Sequence, residues 1–316
     1  MFTLNEIDKV EILALQDNYI DLLAMDSNEI VDRALPAKDM EVKNSYLAEH
    51  GFSSIITVTK GNKSGSIIFD FGFSEMGAAF NAQAMDLDLS VIEETAISHG
   101  HLDHVGGMVE LMKMVGKKNI DLVLHPEAFR NPRYLKTSDT VLLKFLPFTR
   151  EKTKLAGLNV VESADPYPML GGDIVFLGRI PRETEYEKGA SNLYYNDGDE
   201  VKLDDFPDDT SIILNVRGKG LVVISGCAHS GIINTVRYAQ KVSGVDTVFV
   251  VYGGFHLSGK NMGEIIEKTT SALREIDPRW IVPIHCSGRE AVASIEKAMP
   301  EKLIINMSGT RLTFSA

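Results

Sequence analysis

Residues 98–107 read Ser-His-Gly-His-Leu-Asp-His-Val-Gly-Gly, placing four metal-ligating side chains, His99, His101, Asp103 and His104, within six positions. Imidazole and carboxylate are ligand types that zinc and iron accept. In an extended segment His99 and His101 point to one side, because side chains alternate and Gly100 adds no bulk. Asp103 and His104 follow once the chain turns and can face a second ion beside the first. The cassette constrains the fold as well as the chemistry. Ligands from distant parts of a chain meet just past strand ends, where loops gather over a rigid scaffold, so a layered α/β arrangement is expected.

A chain of 316 residues is long enough for a substantial core, and a single domain spanning 1–316 is the expectation, with residues 126–192 inserted over the site. Lys and Arg number 32 against 44 Asp and Glu, a formal net charge of −12, which excludes a surface built to coat nucleic acid. No apolar run approaches the roughly 20 residues of a membrane span. The N-terminal residues 1–10 lack a basic-then-apolar signal pattern, so a cytoplasmic location is expected. Two cysteines, Cys227 and Cys286, exclude a disulfide framework and read first as small buried thiols, with a soft metal ligand or redox-sensitive thiol as the other use.

Residues 7–15 read as a first strand, 26–50 as a polar, irregular insertion near the open face, and 53–59 with 66–70 as a hairpin about Lys60–Gly65. Glu94–Ser98 is expected as the strand that delivers the cassette, Gly107–Val115 as the next helix and Asp121–Leu124 as a further strand. Six prolines in residues 126–192 break regular elements, marking an excursion with only short pieces of structure. Beyond it, strands are expected at 211–216, 221–225, 247–251, 280–284 and 303–306, and helices at 231–242, 263–276 and 289–298. Early strand pairs followed by strand–helix alternation imply two sheets with helices outside.

Two more histidines stand where strands end. His229 follows the apolar run from Leu221 and a sharp Gly226 turn, and His285 ends Trp280-Ile-Val-Pro-Ile-His. Both are expected as metal ligands. His256, after Gly253-Gly254, overhangs the same edge and is a candidate general acid or substrate-binding group, although a packed histidine fits the position equally. His50 and Arg182 are candidate substrate contacts, Arg182 through its forked donors to a phosphate. His125 reads as structural.

The run His99-Gly-His101-Leu-Asp103-His104 resembles the metal motif of the metallo-β-lactamase superfamily, and Ile67-Ile-Phe-Asp70-Phe-Gly72 is similar to its preceding strand-end motif. Ala48–Ser53, Gly226–Gly231, Gly253–Leu257 and Pro283–Gly288 resemble the dihydropteroate-synthase-like branch. The resemblance implies an αββα sandwich with metals at one edge. It implies His99, His101 and His229 around a first ion and Asp103, His104 and His285 around a second. Asp70 would then hydrogen-bond the cassette loop without touching metal. One departure stands out: where many relatives carry a bridging Asp, this chain reads Gly226-Cys227-Ala228-His229. With no carboxylate there, the second ion is expected to bind weakly unless water bridges alone. Asp17 is a candidate substitute, with a turn-forming role as the simpler use.

The expected cofactors are therefore two divalent ions, zinc first, with iron or manganese as alternatives. Such a pair lowers the pKa of bound water, and hydroxide attack on a small phosphorylated or cyclic metabolite follows, with Asp103 also orienting the water. The alternative is a transferase that condenses a dihydropterin pyrophosphate with an arylamine. A redox role with iron is disfavoured, since redox relatives carry Glu where this chain has His101, and complete ligands argue against a non-catalytic sensor. The partner is a small molecule, with no nucleic acid or membrane; homo-oligomerisation is left open.

Overall fold

The computed structural model describes residues 4–38, 40–42 and 44–316. Positions 1–3, in the N-terminal segment read above, and 39 and 43, in the 26–50 stretch, lie outside the described residues. Strands Ser211–Val216 and Gly220–Ser225 are buried at every residue, as their unbroken Ile/Leu/Val runs require of strands covered on both faces. Alternation along them separates two cores. Val222 and Ile224 point inward with Phe69, Phe176 and Tyr252 between two sheets. Val223 points outward to Ile233, Val236 and Leu273 on the covering helices. Full burial of a side chain such as Phe176 contributes about 1.5–3 kcal/mol.

One sheet runs, edge to edge, Leu158–Glu162, Ile120–Leu124, Ile92–Ala96, Lys63–Phe69, Ser53–Lys60, Lys9–Gln16, Thr310–Ser315 and Val31–Arg33. The second runs Tyr167–Met169, Ile174–Phe176, Ser211–Val216, Gly220–Ser225, Val248–Gly254 and Trp280–Ile284, with Glu6–Ile7 beside Ser211–Val216. Helices Gly77–Ala84 and Met108–Val115 cover the first sheet, through Ala82, Leu111 and Met112. Helices Ile232–Ser243, Gly263–Ile276 and Arg289–Ala298 cover the second. The result is an αββα sandwich. No described helix is long and apolar enough to cross a membrane.

The start of Ile232–Ser243 shows how local demands are met. The buried Glu187 carboxylate accepts from the Ile233 and Asn234 N–H groups, both at 2.9 Å, filling donors that a helix start leaves open. Gly244, at φ 72°, ends the same helix in the left-handed conformation that glycine tolerates.

Several expected elements differ. The strand expected at 303–306 is only an isolated bridge from Leu303 to Ile281, and the closing strand lies instead at Thr310–Ser315 against Lys9–Gln16. The strand before the cassette ends at Ala96, freeing Ile97 and Ser98 to turn into the site. The 26–50 stretch contributes Val31–Arg33 to the first sheet and a small hairpin, Ala37–Lys38 with Glu41–Val42. Within 126–192, Leu158–Glu162 joins the first sheet and the Tyr167–Met169/Ile174–Phe176 pair joins the second. Arg133–Ser138 and Val141–Lys144 form a separate four-stranded sheet with Leu193–Asp197 and Glu200–Leu203, which lie beyond residue 192.

Candidate metal centre

Three neighbouring parallel strands of the second sheet, and two of the first, end along one edge, the usual place for ligand-binding loops in parallel sheets. The cassette leaves Ile92–Ala96, His229 follows Gly220–Ser225, His256 follows Val248–Gly254, and His285 follows Trp280–Ile284.

The cassette is held from behind. The Asp70 carboxylate accepts from Ser98 N (2.7 Å) and Ser98 Oγ (2.7 Å), and lies 2.6 Å from His104 Nδ1. Asp70 is fully buried and makes all these contacts on the side of the loop away from the ligand tips, at φ 59°. Gly100 is required by close approach: a Cβ there would stand 1.9 Å from the Ala128 carbonyl oxygen. Its N–H donates to Asp208 Oδ2 at 3.0 Å, and the other Asp208 oxygen holds the buried Arg133 at 2.8 Å.

The tips then converge. His99 Nε2 and His229 Nε2 are 3.2 Å apart, and nitrogens around a tetrahedral zinc stand roughly 3.3 Å apart. His285 Nε2 lies 3.3 Å and His104 Nε2 3.6 Å from Asp103 Oδ2. Donor atoms of Asp103, His104, Cys227 and His285 all lie within 4.8 Å of one another, as do those of His99, Cys227 and His229. His101 stands beside these groups, its ring 4.5 Å from His99 and 5.2 Å from His229, in a slot between Phe145 and Phe206. Buried His101 Nε2, His229 Nδ1 and His285 Nε2 have no hydrogen-bond partner, the mark of atoms arranged for another occupant.

Electrostatics follow from burial. Desolvation first, then neighbouring histidines, holds His99 and His229 well below the usual imidazole range, so both are neutral. Burial, reinforced by Arg133, brings His101 to about 3. Burial also opposes charge on His104, but the Asp103 and Asp70 carboxylates outweigh it and carry that group up to about 9. Neutral imidazoles beside anions that draw positive charge are what a divalent cation requires. The donors fit a metal.

The remaining candidates sit around this core. His50, with 60% of its side chain exposed, lies at the mouth, with Nε2 3.5 Å from Asp103 Oδ2. His256 is half-buried with its ring 4.2 Å from His229. Arg182 is exposed and lies 3.4 Å from the His229 carbonyl oxygen, clear of the donor tips. His125 Nδ1 accepts from Glu127 N, a local turn contact. Asp17 is buried with its carboxylate taken up by His285 N (2.9 Å), Asn18 N (2.6 Å) and Asn306 Nδ2 (2.8 Å), so it supports His285 from below.

Sequence reasoning missed Asp208 and Asp209. Asp209 accepts from His229 N (2.9 Å) and Ser230 N (2.8 Å), and burial pushes its carboxyl up to about 6 against those bonds. Paired acids just before an apolar strand were the available signal. Cys227, expected first as a small buried thiol and otherwise as a soft metal ligand or redox-sensitive thiol, is buried with its sulfur 3.1 Å from His104 Nε2.

Gly226 closes the base of the site, since a Cβ there would meet Ser98 Oγ at 2.0 Å and Asp70 Oδ2 at 2.8 Å. Gly226→Ala is expected to destabilise the fold by about 1–3 kcal/mol through overpacking. Denaturant unfolding that matches the parent would count against that packing.

Residues 48–238 match the metallo-beta-lactamase superfamily. The chain is 32% identical over 260 residues to the 7,8-dihydropterin-6-methyl-4-(beta-D-ribofuranosyl)-aminobenzene-5'-phosphate synthase of Methanocaldococcus jannaschii, covering 81% of this chain and 87% of that one. It is 28% identical over 242 residues to a UPF0173 metal-dependent hydrolase of Staphylococcus carnosus, covering 76% and 84%. The solved structure of Tm1679, a metal-dependent hydrolase of the beta-lactamase superfamily, shares the fold at a TM-score of 0.74 and 24% identity, covering 97% of this chain and 100% of that one. The sandwich, the ligand-rich strand ends and these matches lead to one assignment: the chain belongs to the metallo-beta-lactamase superfamily and is an enzyme of that fold.

Proposed function

We propose that the protein is a metal-dependent hydrolase of a small phosphorylated or cyclic metabolite. The observation that carries this reading is the convergence of buried imidazoles at one edge, His285 and His104 on the Asp103 carboxylate and His99 on His229, with His285 also lining a cavity of about 540 Å³. His99, His101 and His229 would hold one divalent ion and Asp103, His104 and His285 a second, with zinc the first choice for this nitrogen-rich set and iron or manganese the alternatives. When bound, such ions lower the pKa of water and polarise a scissile ester or phosphoester bond.

The chain's own groups supply the rest. His285 lines both the donor cluster and the cavity, so a ligand in that cavity lies against the second set. Asn18, Tyr19 and Arg289 on the cavity wall offer donors and a positive charge to an anionic group. Asp103 Oδ2 orients the attacking water and passes its proton to His50 Nε2, 3.5 Å away and open to solvent. His256, beside His229, is placed to protonate a leaving group, and Arg182 to meet a phosphate entering from the opposite side. Phe145, just past the Val141–Lys144 strand of the four-stranded sheet, lays its ring 5.5 Å from that of His101 and makes that side of the site apolar. Two free, buried cysteines suit a reducing compartment such as the cytoplasm.

The synthase-named archaeal relative favours a second reading, condensation of a dihydropterin pyrophosphate with an arylamine. Purified, zinc-loaded protein tested on phosphoester and lactone panels, and separately on the pterin–arylamine pair, distinguishes the two. The expected result is ester or lactone turnover that is lost on chelation and in His99→Ala. Condensed pterin product with no hydrolysis would overturn the hydrolase reading.

A further inference from the structure

The cavity against His285, of about 540 Å³, has the volume of a small-molecule site. Pro283, Val292 and Ile305 make part of its wall apolar, and Arg289 is the one cation on it. We propose that this cavity is a recognition subsite for a non-reacting part of the substrate, an apolar body whose phosphate or carboxylate pairs with Arg289. The inference rests on the hydrolase reading above and narrows its substrate to an organic anion with an apolar body.

Arg289 is the anchor. It is exposed, and among the described residues its guanidinium has no ion pair or hydrogen bond. In a chain of formal net charge −12, an unpaired guanidinium beside an apolar cavity is a local exception that draws an anion in. The helix Arg289–Ala298 also starts here, and its N-cap, Gly288, has no side chain to fill the open N–H groups of the first turn.

Other polar groups on the wall are committed within the protein. Asp17 accepts from His285 N, Asn18 N and Asn306 Nδ2, so its charge is met. Ser287 Oγ donates to Ile284 O at 2.7 Å. The exception is Asn306, 4% exposed, whose Oδ1 has no partner. An open acceptor there suits an N–H or O–H on the ligand body. Val292 and Ile305 are each partly exposed, apolar surface that such a body takes out of water.

Asn18 joins this cavity to the metal centre. It lines the cavity, and its Nδ2 lies 3.0 Å from His285 O and 3.0 Å from His50 Nδ1, at the mouth beside Asp103. A ligand anchored at Arg289 and passing Asn18 presents its other end to Asp103 and His285. The bond that breaks is then remote from the anchored anion, which serves recognition alone.

Calorimetry on the zinc-loaded full chain tests this with inert probes: phenylphosphonate and benzoate, each against its methyl counterpart, methylphosphonate and acetate. At least one aromatic probe is expected to bind about tenfold or more tightly than its counterpart, since only it fills the apolar wall. Preference for phenylphosphonate marks a phosphate-bearing substrate, and preference for benzoate a carboxylate. Arg289→Gln should weaken the preferred probe about tenfold, and Arg289→Lys, which keeps the charge, by much less. Val292→Trp, which fills the cavity, should erase the aromatic advantage. Equal affinity in parent and Arg289→Gln, or no aromatic advantage in the parent, overturns the subsite. Zinc content and ester turnover on the same samples report separately on the hydrolase reading. Turnover without Arg289-dependent binding removes the subsite alone, whereas Arg289-dependent binding in a zinc-loaded chain that hydrolyses nothing keeps the subsite and removes the hydrolase.

Discussion

Asp103→Ala is expected to lower turnover of the best hydrolytic substrate at least about a hundredfold in zinc-loaded protein. Loss of a partner that merely supports a metal ligand typically costs about 10- to 100-fold, and Asp103 lies closer to the chemistry than that. Its Oδ2 stands within 3.6 Å of ring nitrogens of His50, His104 and His285, so one truncation removes the anion on which three imidazoles converge. The backbone should persist, because the Asp103 carbonyl still accepts from Phe52 N and the His104 N–H still finds His101 O. Asp103→Asn keeps the shape but drops the charge, and should fall between parent and alanine. Steady-state kinetics beside metal analysis decide the matter: parental rates in Asp103→Ala would remove this carboxylate from the mechanism.

Asp70→Ala should act on stability first. Its carboxylate touches no donor tip but holds Ser98 N, Ser98 Oγ and His104 Nδ1, all buried. Removing one partner of a buried charged pair leaves the other uncompensated, at a cost of about 3–5 kcal/mol. Denaturant unfolding should show that loss, with metal affinity falling alongside it because His104 is no longer oriented. Asp70→Asn, which fills the same space and still accepts from Ser98 N, should recover part of the stability. An alanine variant unfolding within about 0.5 kcal/mol of the parent, the range of an inconsequential surface change, would refute the supporting role.

Legibility followed range. The three helices over the second sheet were readable because each shows a 3.6-residue apolar stripe: Ile232, Val236 and Ala239 recur on the buried face of the first of them. The closing strand Thr310–Ser315 was missed although Leu312 and Phe314 alternate inward, since six residues at the end of a chain carry too little pattern without their partner, Lys9–Gln16. Leu158–Glu162 was missed for the same reason. It is a strand because it lies beside Ile120–Leu124, and the prolines around it obscured that pairing.

In the site the division is similar. His99, His101, Asp103 and His104 are close in sequence, and metal chemistry demands their residue types, so the sequence alone determined that a cassette is present and, through the strand-end context, which distant histidines face it. Tertiary structure alone decided what stands behind and between them. Asp208 and Asp209 anchor Gly100 and His229 across more than a hundred and about twenty residues respectively, through backbone N–H groups that no side-chain pattern announces. For Cys227 the sequence left packing and soft ligation both open, and only the folded sheet edge places its sulfur within 4.8 Å of the donor atoms of both groups. A thiol takes its role from the charges and lone pairs around it, and only the folded chain sets those in place.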